Sequence, residues 1–122
     1  MKLSAFALAA ILLPFSGLVC ACHSYQVDAT VENRTGAPID LLEVDYPSAS
    51  FGADSLAAGA DYRYRFQIRL SGPVKVQYTE AATHMLRQIT GPDLYEGQQG
   101  RLQIVLLPDG KAEFHPELTS RH

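Results

Sequence analysis

Tyr62-Arg63-Tyr64-Arg65-Phe66-Gln67-Ile68-Arg69-Leu70 decides the fold. Every second residue is large and apolar, and each residue between is charged or amidic. That is the period of a strand with one face in a core and the other in water. Ser71-Gly72-Pro73 turns the chain back into Val74, Val76 and Tyr78, with Lys75 and Gln77 outward, proline being acceptable as a first strand residue.

The same alternation extends in both directions. Upstream, Tyr25, Val27, Ala29 and Val31 alternate with Gln26, Asp28, Thr30 and Glu32, and Asn33-Arg34-Thr35-Gly36 supplies a turn. Asn33-Arg34-Thr35 also matches a glycosylation acceptor, but it is read here as turn chemistry. Ile39 and Leu41 continue inward, whereas Leu42, Val44 and Tyr46 carry the apolar phase on from the other parity, so a β-bulge is expected near Leu41. Downstream, Leu102, Ile104 and Leu106 form an inward row, and Pro108-Asp109-Gly110 turns the chain into Ala112 and Phe114. Ala82, Met85, Leu86 and Ile89 fit a helical turn or a strand; the turn-forming flanks favour a strand.

These segments predict about seven strands, near 25–32, 38–46, 61–70, 73–79, 84–90, 101–107 and 111–115. The expectation is an all-β fold, a single antiparallel β-sandwich over 25–115 with a tail at 116–122. The layout resembles immunoglobulin-like sandwiches at the level of pattern, without their Cys, Trp and Cys hallmark; the chain has no tryptophan.

Residues 1–21 read differently. Met1 and Lys2 form a positive start, Leu3 to Leu13 an apolar run, and Pro14 to Gly17 a break, as in a secretory signal peptide. Val19-Cys20-Ala21-Cys22 then resembles the lipobox of bacterial lipoproteins, with an aliphatic residue three before the cysteine and a small one directly before it. The resemblance implies cleavage ahead of Cys22 and a diacylglyceryl and fatty acyl (palmitate-type) modification of that residue. Val19 and Ala21 also suit an ordinary signal peptidase, and Leu3 to Ala21 approaches the length of a retained membrane helix. All three readings place the domain outside the cytoplasm. With His23 rather than Asp after the cysteine, the resemblance implies an outer membrane facing the periplasm in a two-membrane host.

Removing residues 1–21 leaves 101 of 122, one domain's worth, with 9 basic and 13 acidic side chains and a net charge of −4. An acidic balance argues against a nucleic-acid partner. Cys20 leaves with the signal and Cys22 is consumed by lipid, so the domain has neither a disulfide nor a thiolate for catalysis or metal. His23, His84, His115 and His122 lack ligand spacing, and no nucleophile elbow, His-Glu helix motif or phosphate loop appears. No enzyme activity, metal or cofactor is expected.

Two surfaces invite partners. Gly91 to Gly100 reads as a loop presenting Asp93, Leu94, Tyr95 and Glu96, or else as a plain connection with Leu94 and Tyr95 tucked onto the domain. Arg63, Arg65 and Arg69, with Lys75 opposite, form a stripe that would grip an anion or be neutralised by Asp28, Asp40, Glu43 or Asp45 on neighbouring strands. Only His23 and Ser24 separate Cys22 from the first strand, so that strand's start must lie near the membrane. If successive strands reverse, loops 47–60, 80–83 and 108–110 face the membrane, while 33–37, 71–72 and 91–100 point away. Phe51 would then either touch headgroups or plug the core. The expected role is a noncatalytic interaction or structural module, with an envelope protein as partner; the alternative is a small-ligand or glycan carrier, which needs a concave pocket.

Overall fold

The computed structural model describes residues 25–120. Eight strands follow in order: β1 Val27–Asn33, β2 Ile39–Tyr46, β3 Ala49–Leu56, β4 Asp61–Phe66, β5 Gly72–Glu80, β6 Leu86–Leu94, β7 Gln99–Leu107 and β8 Lys111–Thr119. They form two four-stranded sheets, β4-β1-β7-β8 and β3-β2-β5-β6. A 3-10 turn, Pro108–Gly110, joins β7 to β8. No helix among the described residues is long and apolar enough to cross a membrane.

The all-β expectation holds, but the single antiparallel sandwich of about seven strands is corrected to eight strands in two sheets. The two sheets share one apolar core, drawn from Val27, Ala29 and Val31 of β1, Val44 of β2, Val76 and Tyr78 of β5, and Leu102, Ile104 and Leu106 of β7. β1 runs parallel to β7 and antiparallel to β4. The parallel pair follows from connectivity: when each strand reverses the one before, odd-numbered strands point the same way, and β1 and β7 are neighbours.

β3 is the strand missing from the sequence reading, which left 47–60 as a loop. Its residues, Ala49-Ser50-Phe51-Gly52-Ala53-Asp54-Ser55-Leu56, are mostly small or polar, and only Phe51 and Leu56 are buried. Pairing along β2, from Val44 opposite Phe51 to Ile39 opposite Leu56, makes it a strand nonetheless. Gly52 is required there, since a Cβ would fall 1.9 Å from the Leu42 carbonyl oxygen.

The slip expected near Leu41 is present. β2 and β5 change register between Asp40 and Glu43, so Leu41 and Leu42 together face Tyr78. Leu41 sits at φ 53° and is 64% exposed, leaving Ile39 and Leu42 both inside. A left-handed backbone costs a leucine about 1–2 kcal/mol, and glycine's extra freedom in the unfolded chain returns part of the relief. Leu41→Gly should therefore raise stability by roughly 0.5 kcal/mol. A urea midpoint shifted downward would contradict this.

Opposite the bulge, Tyr78 is fully buried, and its hydroxyl has no hydrogen-bond partner among the described residues. Burial pushes that hydroxyl's pKa up, with Glu80 adding and Arg87 opposing. Tyr78→Phe removes the unpaired group while keeping the ring. Stability should hold or rise by up to about 1 kcal/mol. A loss of that size on thermal unfolding would refute the reading.

Other boundaries move for similar reasons. β4 ends at Phe66, opposite Val27 where β1 begins, so the expected continuation to Leu70 has no partner. Ile68 still turns inward, but Leu70 is exposed. The segment near 84–90 is a strand, as favoured, but it begins only at Leu86, and β6 runs on through Gly91 and Pro92 to Leu94. The expected tail instead extends β8 to Thr119, pairing with Gln99 of β7.

Candidate functional site

Every strand reverses its predecessor, so the added β3 changes which connections share the end where β1 starts. Turns 47–48, 67–71 and 95–98 lie at that end, and 34–38, 57–60, 81–85 and 108–110 lie at the other. This corrects the sequence-derived orientation for 57–60, 71–72, 80–83, 91–100 and 108–110, while 33–37 keeps its expected place. Backbone bonds tie the β1 end together: Gly100 N–H donates to Gln26 O at 3.1 Å and Gly97 N–H to Ile68 O at 3.2 Å. Glu96 N–H reaches Ser71 Oγ at 3.0 Å.

The loop expected at Gly91 to Gly100 shrinks to a tight turn. Asp93 stands in β6 opposite Pro73, and Leu94, fully buried, belongs to the core rather than to a binding tip. Tyr95 and Glu96 remain exposed. Gln98 braces the turn, its Oε1 accepting from Tyr95 N–H at 2.9 Å.

The arginine stripe divides. Arg63 and Arg65 lie on the outward face of β4, whereas Arg69 lies beyond that strand, in the 67–71 connection. Arg69 is near enough to Tyr46 to oppose the rise in its hydroxyl pKa caused by burial and by Tyr64. Lys75 is not opposite the stripe; it belongs to the other sheet, in register with Asp45.

Register explains what Arg65 does. Arg65, Asp28, Arg101 and Glu117 form one row across the four strands of their sheet, with charge alternating in sign. Arg65 Nε donates to Asp28 Oδ1 at 2.7 Å. The next row, Arg63, Thr30, Gln103 and His115, carries less charge, and the third contains Asp61, Glu32 and Glu113. The Gln103 amide and then Arg34 hold the Glu32 carboxyl below the usual carboxylate range. This face is an open concavity. With Arg63, Arg65 and Arg101 set against Asp28, Glu32, Asp61, Glu113 and Glu117, it gives an anion no concentrated positive field.

Phe51 is the core plug of the two alternatives. It is 6% exposed and stacks on Tyr64 at 4.6 Å and 15°, with Phe66 at 5.7 Å, closing the lateral edge where β3 meets β4.

Asn33 is a polar residue whose structural role the turn reading missed. It continues the inward row of Val27, Ala29 and Val31, and that parity was its visible signal. Its side chain is fully buried and held by hydrogen bonds, which leaves the amide no room for a glycan in the folded chain.

His84 lies in the turn between β5 and β6, at the end opposite the start of β1, while His115 lies on β8 beside Glu113 at 3.3 Å. Among the described residues, no group of three His, Cys, Asp or Glu side chains is placed to hold a metal ion. Cys22, His23 and His122 lie outside the described residues.

Exposed apolar side chains occur toward both ends of the domain: Leu41, Met85 and Leu86 lie toward the end opposite the start of β1, and a second set lies at the β1 end. Tyr25 is 36%, Leu70 56% and Tyr95 53% exposed, and they come from three separate segments: the entry to β1, the β4–β5 connection and the β6–β7 turn. Sequence periodicity had placed Tyr25 and Leu70 inside. No family model, curated protein or solved structure matches this chain.

Proposed function

We propose that this chain is a lipid-anchored, extracytoplasmic module of a bacterial cell envelope, noncatalytic, which holds a small two-sheet domain against a membrane and offers it to an envelope protein. The observation that carries the reading is the lipobox-like Val19-Cys20-Ala21-Cys22 set so close to a folded strand, since β1 begins at Val27. Multiple acyl chains on one cysteine hold a protein on a bilayer without a membrane-spanning helix.

A carrier role finds less support. The space between the sheets is filled by side chains such as Tyr78, Ile39, Leu102 and Ile104, so a ligand would have to sit on the surface. The exposed outward faces favour contact with another macromolecule.

Cys22→Ser tests the reading. The wild-type protein should fractionate with membranes and have an intact mass that includes acyl chains on Cys22, and the variant should be released as soluble protein. A wild-type chain that starts elsewhere, or that starts at an unmodified Cys22, overturns the proposal.

A further inference from the structure

We infer that Tyr25, Leu70 and Tyr95 form a three-point apolar foot that rests in the lipid headgroup region, so that the domain stands on the bilayer by its β1 end. This rests on the anchor proposed at Cys22 and adds a second, noncovalent contact to it.

Three observations carry the inference. First, the three side chains are exposed, come from separate segments and lie at one end of the fold. Backbone bonds from Gly97 to Ile68 and from Gly100 to Gln26, with Glu96 N–H on Ser71 Oγ, bind those segments into one rigid surface. Second, the chemistry suits a membrane interface. Tyrosine, apolar in body and polar at the tip, concentrates at headgroup depth, and an exposed leucine suits the acyl boundary just below it.

Third, the proposed anchor is close to this end along the chain. Cys22 lies three residues before Tyr25, a reach of at most about 11 Å. The interfacial layer is itself about 5–8 Å deep on each side of a bilayer. An acylated Cys22 therefore leaves Tyr25 nowhere to go but the headgroups or their immediate edge, and Leu70 and Tyr95 share that end. Arg69 and Glu96 stand beside them with opposite charges. The contact is accordingly apolar and does not depend on anionic lipid.

The absence of tryptophan from the chain makes the test direct. Tyr95→Trp and Leu70→Trp each introduce one fluorophore at the foot, and Leu86→Trp introduces one at an exposed position at the opposite end. The full acylated protein, purified from membranes, is reconstituted into vesicles of phosphatidylethanolamine and phosphatidylglycerol with brominated acyl chains. Emission from Tyr95→Trp and Leu70→Trp should shift to the blue and lose most of its intensity to bromine, while that of Leu86→Trp keeps both position and intensity.

Protein that floats with the vesicles but shows equal, unquenched emission at all three positions overturns the foot and leaves the anchor intact. That is also the result expected if this end docks a protein instead. Protein that lacks acyl chains and stays off the vesicles overturns the anchor, and the foot with it.

Discussion

Replacing Asn33 by leucine should lower folding stability by roughly 3–5 kcal/mol, the larger of the two main effects expected in the domain. Asn33 Nδ2 donates to the carbonyls of Ala37 at 2.9 Å, Leu56 at 3.0 Å and Ala57 at 3.1 Å. Its Oδ1 accepts from Thr35 N–H at 3.1 Å and Thr35 Oγ1 at 2.7 Å. One side chain thus joins the β1–β2 turn to the end of β3, and its own backbone adds bonds to Ala60 and Gly59. Leucine is of similar size but satisfies none of these groups, and each buried polar atom left unpaired costs about 1–3 kcal/mol. The check is a denaturant midpoint shift with an unchanged slope; a change below about 1 kcal/mol would refute the role given to this residue.

Asn33→Asp sharpens the test, because it exchanges a donor for an acceptor that faces three carbonyl oxygens. The ionised form is disfavoured there, so the folded-state carboxyl pKa rises above its unfolded value of about 3.9. The sign follows from linkage. The variant is least penalised below the unfolded pKa, where it is protonated and still has a hydrogen to donate, and it loses stability as pH rises through the raised folded value. Wild type and variant should therefore diverge in stability between about pH 4 and about pH 7. A constant difference across that window would contradict the geometry.

Phe51→Ala is the second large effect, expected at about 3–4 kcal/mol. The ring is buried among Tyr46, Tyr62, Tyr64 and Phe66, all within 6.2 Å between centroids. It stands where β3 of one sheet meets β4 of the other, so the cavity opens at a seam between edge strands rather than in the middle of the core. A double-mutant cycle with Tyr64→Ala should return about 0.5–1.5 kcal/mol of coupling for the stacked pair. Loosened edge strands also invite pairing between molecules, so the variant should aggregate at concentrations where wild type stays dispersed. Strict additivity in the cycle would remove the stacking contribution.

Much of the fold was legible in local periodicity. The inward rows of β1, β2, β5 and β7 were read from alternation alone, and the bulge at Leu41 from one break in parity. β3 was not, because a strand of Ala, Ser, Gly and Asp carries no apolar rhythm; Phe51 and Leu56 look unrelated until the bulge in β2 brings both inward. Leu70 failed for the opposite reason. Its parity was right, but a strand needs a neighbour, and β1 begins too late to provide one. Leu94 was taken from a loop into the core because Gly91 and Pro92, which look like breakers, are carried within β6.

For the candidate surfaces the division runs along the same line. The charge pattern of β4 was plain in the sequence, but the alternation from Arg65 through Asp28 and Arg101 to Glu117 arises only when four distant segments are laid in register. The foot of Tyr25, Leu70 and Tyr95 was invisible for a further reason. A single unrecognised strand inverts every later turn, and an error of one reversal moves Tyr95 from one end of the domain to the other.

By itself, then, the sequence determined the inward rows of β1, β2, β5 and β7, the bulge and the lipobox-like resemblance at Cys22, since each depends on residues near one another along the chain. Only the tertiary structure decided the number of strands, the parallel pairing of β1 with β7, the burial of Asn33 and which turns share an end. Those depend on which strand finds which neighbour, and backbone pairing between segments far apart leaves no periodic trace in either one.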